Sequence, residues 1–216
     1  MSRIALIALL AAVSVVPVGP GLTKTPERAS PTPAVPAKGA AEDFGLALVA
    51  AARAQTWIPV LYDPSYRKID YPMGDVPWYR GVCTDVVVRA YRALGMDLQE
   101  LVHRSGVGTG DTNIDHRRVD VLRRYLARHG QSLPVGKDPS AFRPGDLVTF
   151  HVPNGTFSKT HIAIVSDRKS ATGVPLVIHN RGRGVWEEDW LFSERITGHY
   201  RLGSSAAGGR SASATR

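Results

Sequence analysis

The feature that most constrains this chain is a change of hydrophobic period partway along it. Up to about residue 130, apolar residues recur at helical spacing; after 145 they fall in short runs separated by Gly, Pro and Asn. Glu42 to Gln55 reads as a helix with Phe44, Leu48 and Ala51 or Ala52 on one face. A second helix starts near Val82, with Val86 or Val87, Ala90, Tyr91 and Leu94 in one stripe and Gly95 placed to stop it. A third is expected from His116 to His129, with Asp115 as its N-cap and Gly130 behind it. Residues 56 to 81 hold Pro59, Pro64, Pro72, Pro77, Gly74 and Gly81 and read mostly as loop. The later runs Asp146–His151, His161–Asp167, Leu176–His179 and Thr197–Leu202 read as short strands. Helices first and an antiparallel sheet second imply an α+β domain.

The ends are of different composition. Arg3 followed by the apolar run Ile4 to Val16 has the length of a signal-peptide core and is too short for an ordinary membrane span. Residues 1–19 are therefore expected to be a signal peptide, and the protein periplasmic or secreted. Residues 20–41 carry Pro20, Pro26, Pro31, Pro33 and Pro36 among Ala, Thr and Ser, and read as a linker. Residues 203–216, rich in Gly, Ser and Ala, read as a loose tail, which leaves 42–202 as the folded domain. The formal charge of +8 suits an anionic surrounding such as a cell-wall polymer. The basic residues are scattered and accompany no nucleic-acid motif, so no nucleic-acid partner is expected. Membrane contact is expected only through an uncleaved signal, and a monomer is expected.

Cys83 is the single cysteine of the chain. It has no internal partner for a disulfide, so it is either a small buried hydrophobe or a reactive thiol. It follows Gly81-Val82 in the first turn of a helix, where the helix dipole favours a thiolate. Such a nucleophile needs a base, and seven histidines are present. His161 opens the strand His161-Ile162-Ala163-Ile164-Val165, with its side chain on the face of Ala163 and Val165. His179 closes the next strand and can sit beside it. One ring nitrogen of His161 would face the thiol; the other would be held by His179 or by Asn180, but not both, since strand neighbours point to opposite faces.

Taken together, Gly81-Val82-Cys83, Pro144-Gly145-Asp146-Leu147-Val148-Thr149-Phe150, His161-Ile162-Ala163-Ile164-Val165 and Ile178-His179 resemble the NlpC-type cell-wall peptidase superfamily, which has a papain-like fold. More closely, Tyr71-Pro72-Met73-Gly74-Asp75-Val76-Pro77, Cys83-Thr84-Asp85, Ile114-Asp115-His116-Arg117-Arg118, His179-Asn180 and Gly198-His199-Tyr200-Arg201 resemble the YijF-like family, known mainly as a domain of unknown function. The resemblance covers roughly residues 45 to 202. It implies Cys83 as nucleophile, His161 as base and His179 as the residue that orients it, with Tyr71 lining the substrate cleft. The peptidases usually carry Asp-Cys-Ser-Gly at the nucleophile, whereas this chain has Val82-Cys83-Thr84-Asp85.

The chemistry so implied is acyl transfer from an amide, with peptidoglycan peptides as substrate and Asp85 and Asn180 as further substrate-binding residues. A lipid acyltransferase or deacylase using the same Cys/His pair, and a non-catalytic envelope-binding module, are the alternatives. Arg117 and Arg118 read as a solvated face, or as partners of a substrate carboxylate if they line the cleft. Trp186 and Trp190 read as core. No cofactor is expected, and no metal: Cys83, His151, His161 and His179 lack the close ligand spacings of zinc sites.

Overall fold

Helix α1, Lys38–Ala54, begins soon after the last proline of the Pro-rich run, Pro36. The computed structural model describes residues 38–203. The expected signal peptide, the linker up to residue 37 and the tail beyond residue 203 lie outside the described residues. Helix α1 starts at Lys38 rather than 42, because after Pro36 nothing removes a backbone donor. A 3₁₀ turn, Gln55–Trp57, continues it. The segment expected as loop contains a two-residue parallel pair, β1 (Leu61–Tyr62) and β2 (Arg80–Gly81).

Helix α2, Cys83–Ala93, runs where the sequence places it, with the positive-φ Gly95 behind it. Helix α3, Leu98–Ser105, is an addition. Its signals are local: Asp97 caps it by accepting the Gln99 N–H at 3.2 Å, and Gly106 at φ +67° ends it. Helix α4 is Val119–His129, shorter than expected. Asp115 does not cap it, because its carboxylate is already bound to the Thr109 and Gly110 backbone N–H groups, each at 2.8 Å, and to the Thr109 hydroxyl. Residues Asp115–Arg117 form a separate 3₁₀ turn, and Arg118 is extended.

The sheet comprises β3 (Gln131–Ser132), β4 (Leu147–His151), β5 (Thr160–Lys169), β6 (Pro175–Asn180), β7 (Val185–Glu188) and β8 (Arg195–Arg201), in the order β3-β8-β4-β5-β6-β7. All neighbours are antiparallel. β3 and β7 are the strands the sequence did not reveal. Alternation sorts each strand onto two faces. Ile162, Ile164 and Ile178 pack with Leu48, Val87 and Tyr91 of α1 and α2. Ala163, Val165 and Phe150 pack on the other side with Trp190 and Leu191. The architecture is α+β, helices on one face of an antiparallel sheet, with Cys83 the first residue of a buried helix.

Two of the family-like motifs meet under this sheet. Asp146 is fully buried; it accepts a fork from Arg201 at 2.7 and 2.8 Å and a hydrogen bond from His199 Nε2 at 2.8 Å, and so ties β4 to β8. The other His199 nitrogen meets the Pro134 carbonyl at 3.2 Å. Removing one member of such a network leaves buried donors without an acceptor. Asp146→Ala should lower the unfolding free energy in urea by about 3–5 kcal/mol, whereas Asp120→Ala, in an exposed i,i+4 pair, should cost less than about 0.5 kcal/mol.

Candidate functional site

The start of α2 is held by one carboxylate. Asp85 accepts the Val82 N–H at 2.7 Å, closing the helix N-terminus, and accepts a fork from Arg117 at 2.9 and 3.0 Å. Both charged side chains are buried. Arg117 also reaches the carbonyls of Asp63 and Ser65, just past β1, while the Thr84 hydroxyl donates to the Arg117 carbonyl at 2.9 Å. Thus the Asp85 carboxylate, expected to bind substrate, is taken up by internal partners, and Arg117 is not a solvated face. They are internal partners that join the segments Cys83-Thr84-Asp85 and Ile114-Asp115-His116-Arg117. Gly81 leaves room for this turn: a Cβ there would lie 3.2 Å from Asp85 Oδ2.

Cys83 is 3 % exposed. The backbone N–H groups of Ile162, Thr84 and Cys83 itself point at its sulfur and favour the anion, but burial outweighs them and pushes the thiol up to about 11. The thiolate expected from the helix dipole is therefore not the resting form. The Tyr62 hydroxyl lies beside the sulfur, and burial together with that neighbour raises its own pKa. Contact with the Ile162 N–H sets the thiol against the strand that carries His161. Among the described residues no hydrogen bond joins the thiol to an imidazole.

The histidines form a relay. His161 Nε2 lies 2.8 Å from His179 Nδ1, and His179 Nε2 lies 2.9 Å from Glu188 Oε1. Glu188 also receives Arg181 at 3.2 Å; its hydrogen bond from His179 holds its pKa down near 2, so it can only accept. His179 must then donate from Nε2. Burial lowers the pKa of both rings, that of His161 well below its ordinary 6.5. A neutral His179 offers a lone pair at Nδ1, His161 donates to it from Nε2, and His161 Nδ1 is left as a free base. Trp190 packs edge-on against His161, with 5.3 Å between ring centroids.

His179, and not Asn180, therefore orients His161. Asn180 points to the opposite face; it is buried, accepts the Gly182 N–H at 2.9 Å and reaches the Gly81 carbonyl at 3.5 Å. It shapes the β6–β7 turn. Tyr71 is the clearest departure from expectation. It is 41 % exposed, meets His103 edge-on and does not line the Cys83 cleft, and its motif is tied to the start of α3 by Met73 N–H to Asp97 and Gly74 N–H to Gln99. The tyrosine beside the thiol is Tyr62, in a strand too short to show a period. Trp190 is core, as expected, but Trp186 is exposed.

Cys83 lines a cleft of about 390 Å³ between the starts of α2 and α4, with Tyr66, Arg118 and Asp120 at its rim. His161 lines an adjoining cleft with Arg181 and Glu194. Tyr62, Phe157, Ser158 and Thr160 border both, and the rings of Tyr62 and Phe157 stack between them at 4.4 Å. Among the described residues no group of three His, Cys, Asp or Glu side chains is arranged as a metal site.

The chain matches the family described as Domain of unknown function (DUF1287) over residues 49–202. It is 45 % identical over 168 residues to the uncharacterized protein YijF of Escherichia coli strain K12, covering 72 % of this chain and 80 % of that protein. Among solved structures it is similar to NlpC2 of Trichomonas vaginalis, with a TM-score of 0.45 and 18 % identity over 74 % of this chain. It is also similar to a lipoprotein-like NLP/P60-family protein of Staphylococcus aureus, with a TM-score of 0.40 and 13 % identity over 82 % of this chain. The chain spans 46 % and 45 % of those two structures' lengths.

Because burial keeps the thiol protonated, alkylation of folded Cys83 by iodoacetamide should rise with pH about a midpoint near 11, against an ordinary 9.0 for the same residue in urea. Mass spectrometry of quenched samples measures both midpoints.

Proposed function

This chain belongs to the DUF1287 family, and from that premise and the geometry of its clefts we propose that it is a cysteine hydrolase that opens amide bonds through a thioester. The observation that carries the reading is the relay Glu188–His179–His161, which leaves one basic nitrogen, Nδ1, on the strand against which the Cys83 thiol is packed.

In the proposed reaction His161 Nδ1 takes the thiol proton as Sγ attacks the amide carbonyl. The oxyanion is assigned to the Cys83 backbone N–H and the Tyr62 hydroxyl, which lies beside the sulfur. His161 then returns the proton to the leaving amine as the C–N bond breaks. Water, deprotonated by the same nitrogen, cleaves the thioester and regenerates the thiol. Glu188 stabilises the transient imidazolium through His179.

The substrate we assign is a peptide of a cell-envelope polymer, peptidoglycan being the chief candidate, met by an exported, monomeric protein. Arg118 and Asp120 at the rim, with Tyr62 and Phe157 as walls, suit a charged peptide better than a fatty acyl chain. The apolar run 4–16 and the charge of +8 support the location and the anionic partner.

Digestion of purified peptidoglycan, with mass analysis of the products, tests this. Cys83→Ala should abolish product release, and Tyr62→Phe should lower kcat by about 10²-fold. Equal digestion by wild type and Cys83→Ala would sink the proposal. Because His161 is neutral until well below 6.5, the acid limb of kcat/KM should fall below that value. Glu188→Gln should alter the position of that limb, since the amide no longer dictates the tautomer of His179.

A further inference from the structure

A second feature lies on the far side of β1 and plays no part in the proposed chemistry. Tyr62 faces the cysteine cleft, but its neighbour Leu61 faces a groove of about 540 Å³ between the 3₁₀ turn after α1 and the β6–β7 hairpin. Trp57 is 87 % exposed there, Trp186 and Leu61 each 58 %, and Ile58 39 %. Single exposed apolar side chains are ordinary, but four of this size lining one groove are not. The rim continues past Leu61, whose N–H bonds the Tyr79 carbonyl at 2.8 Å, to exposed Tyr79 and Trp78.

The polar groups narrow what can occupy the groove. The indole N–H of Trp186 donates to the Arg183 carbonyl at 2.8 Å, so this ring offers carbon rather than a donor. A sugar chain needs several convergent donors and acceptors, and this lining supplies few. The one charged side chain lining the groove is Arg183; it has no ion-pair partner among the described residues, and no carboxylate lines the groove. Exposed indoles and aliphatics around an unpaired guanidinium, on a chain of net charge +8, match the layering of an anionic bilayer surface: acyl region, then phosphate. We propose that this groove docks the domain on a membrane surface rich in anionic phospholipid headgroups, with Trp57, Ile58, Leu61 and Trp186 inserted and Arg183 on a phosphate. The cleft would then open beside the surface, one strand away.

The test uses the full chain and vesicles whose acyl chains carry bromine, which quenches tryptophan at contact. Phosphatidylglycerol vesicles should quench the emission, and phosphatidylcholine vesicles should do so much less. Ile58→Asp and Leu61→Asp keep both groove tryptophans and should remove most of the quenching. Arg183→Glu, an exposed change, should weaken apparent partitioning roughly fivefold or more. Quenching that persists in all three variants would assign membrane contact to another part of the chain and overturn the proposal. So would no quenching by either lipid, a response to soluble glycan fragments alone, or groove tryptophans already shielded from iodide without vesicles, which would mean that protein covers the groove.

Discussion

The buried ion pair between Asp85 and Arg117 is the contact on which the site depends. Two charges taken out of water are tolerated only when their remaining donors and acceptors are met, and here they are. Asp85 closes the helix start through the Val82 N–H; Arg117 holds the Asp63 and Ser65 carbonyls beyond Tyr62. One pair thus fixes Cys83, the strand bearing the tyrosine beside it, and the turn leading to α4, which walls the cleft.

The same burial governs the proton. Low dielectric raises the thiol and lowers the imidazoles, and each shift favours the neutral species. The resting site is then a thiol and a neutral base rather than an ion pair. The Tyr62–Phe157 stack lies between the two clefts.

Much of the fold was legible because α2 and the long strands carry complete periods. Val87, Ala90 and Tyr91 make a stripe, and Ile162 and Ile164 alternate with Ala163 and Val165. What escaped was short or locally ambiguous. β1, β2 and β3 hold two residues each, too few to show alternation. Asp115 looks like a cap because Asp before a helical run usually is one; Thr109 and Gly110, five or six residues earlier in the chain, claimed its carboxylate instead. Tyr71 carried the right residue type in a familiar motif, yet hydrogen bonds to Asp97 and Gln99 turn that motif towards α3.

The sequence by itself determined the α+β class, the helix start at Cys83 and the strand positions of His161 and His179, because local periodicity and turn residues act over a few residues. Only the tertiary structure decided that Tyr62 rather than Tyr71 stands by the thiol, that Asp85 and Arg117 face each other, and that Glu188 completes the relay. Those choices join residues 9 to 32 positions apart on different elements, and no local preference encodes which distant partner a side chain will meet.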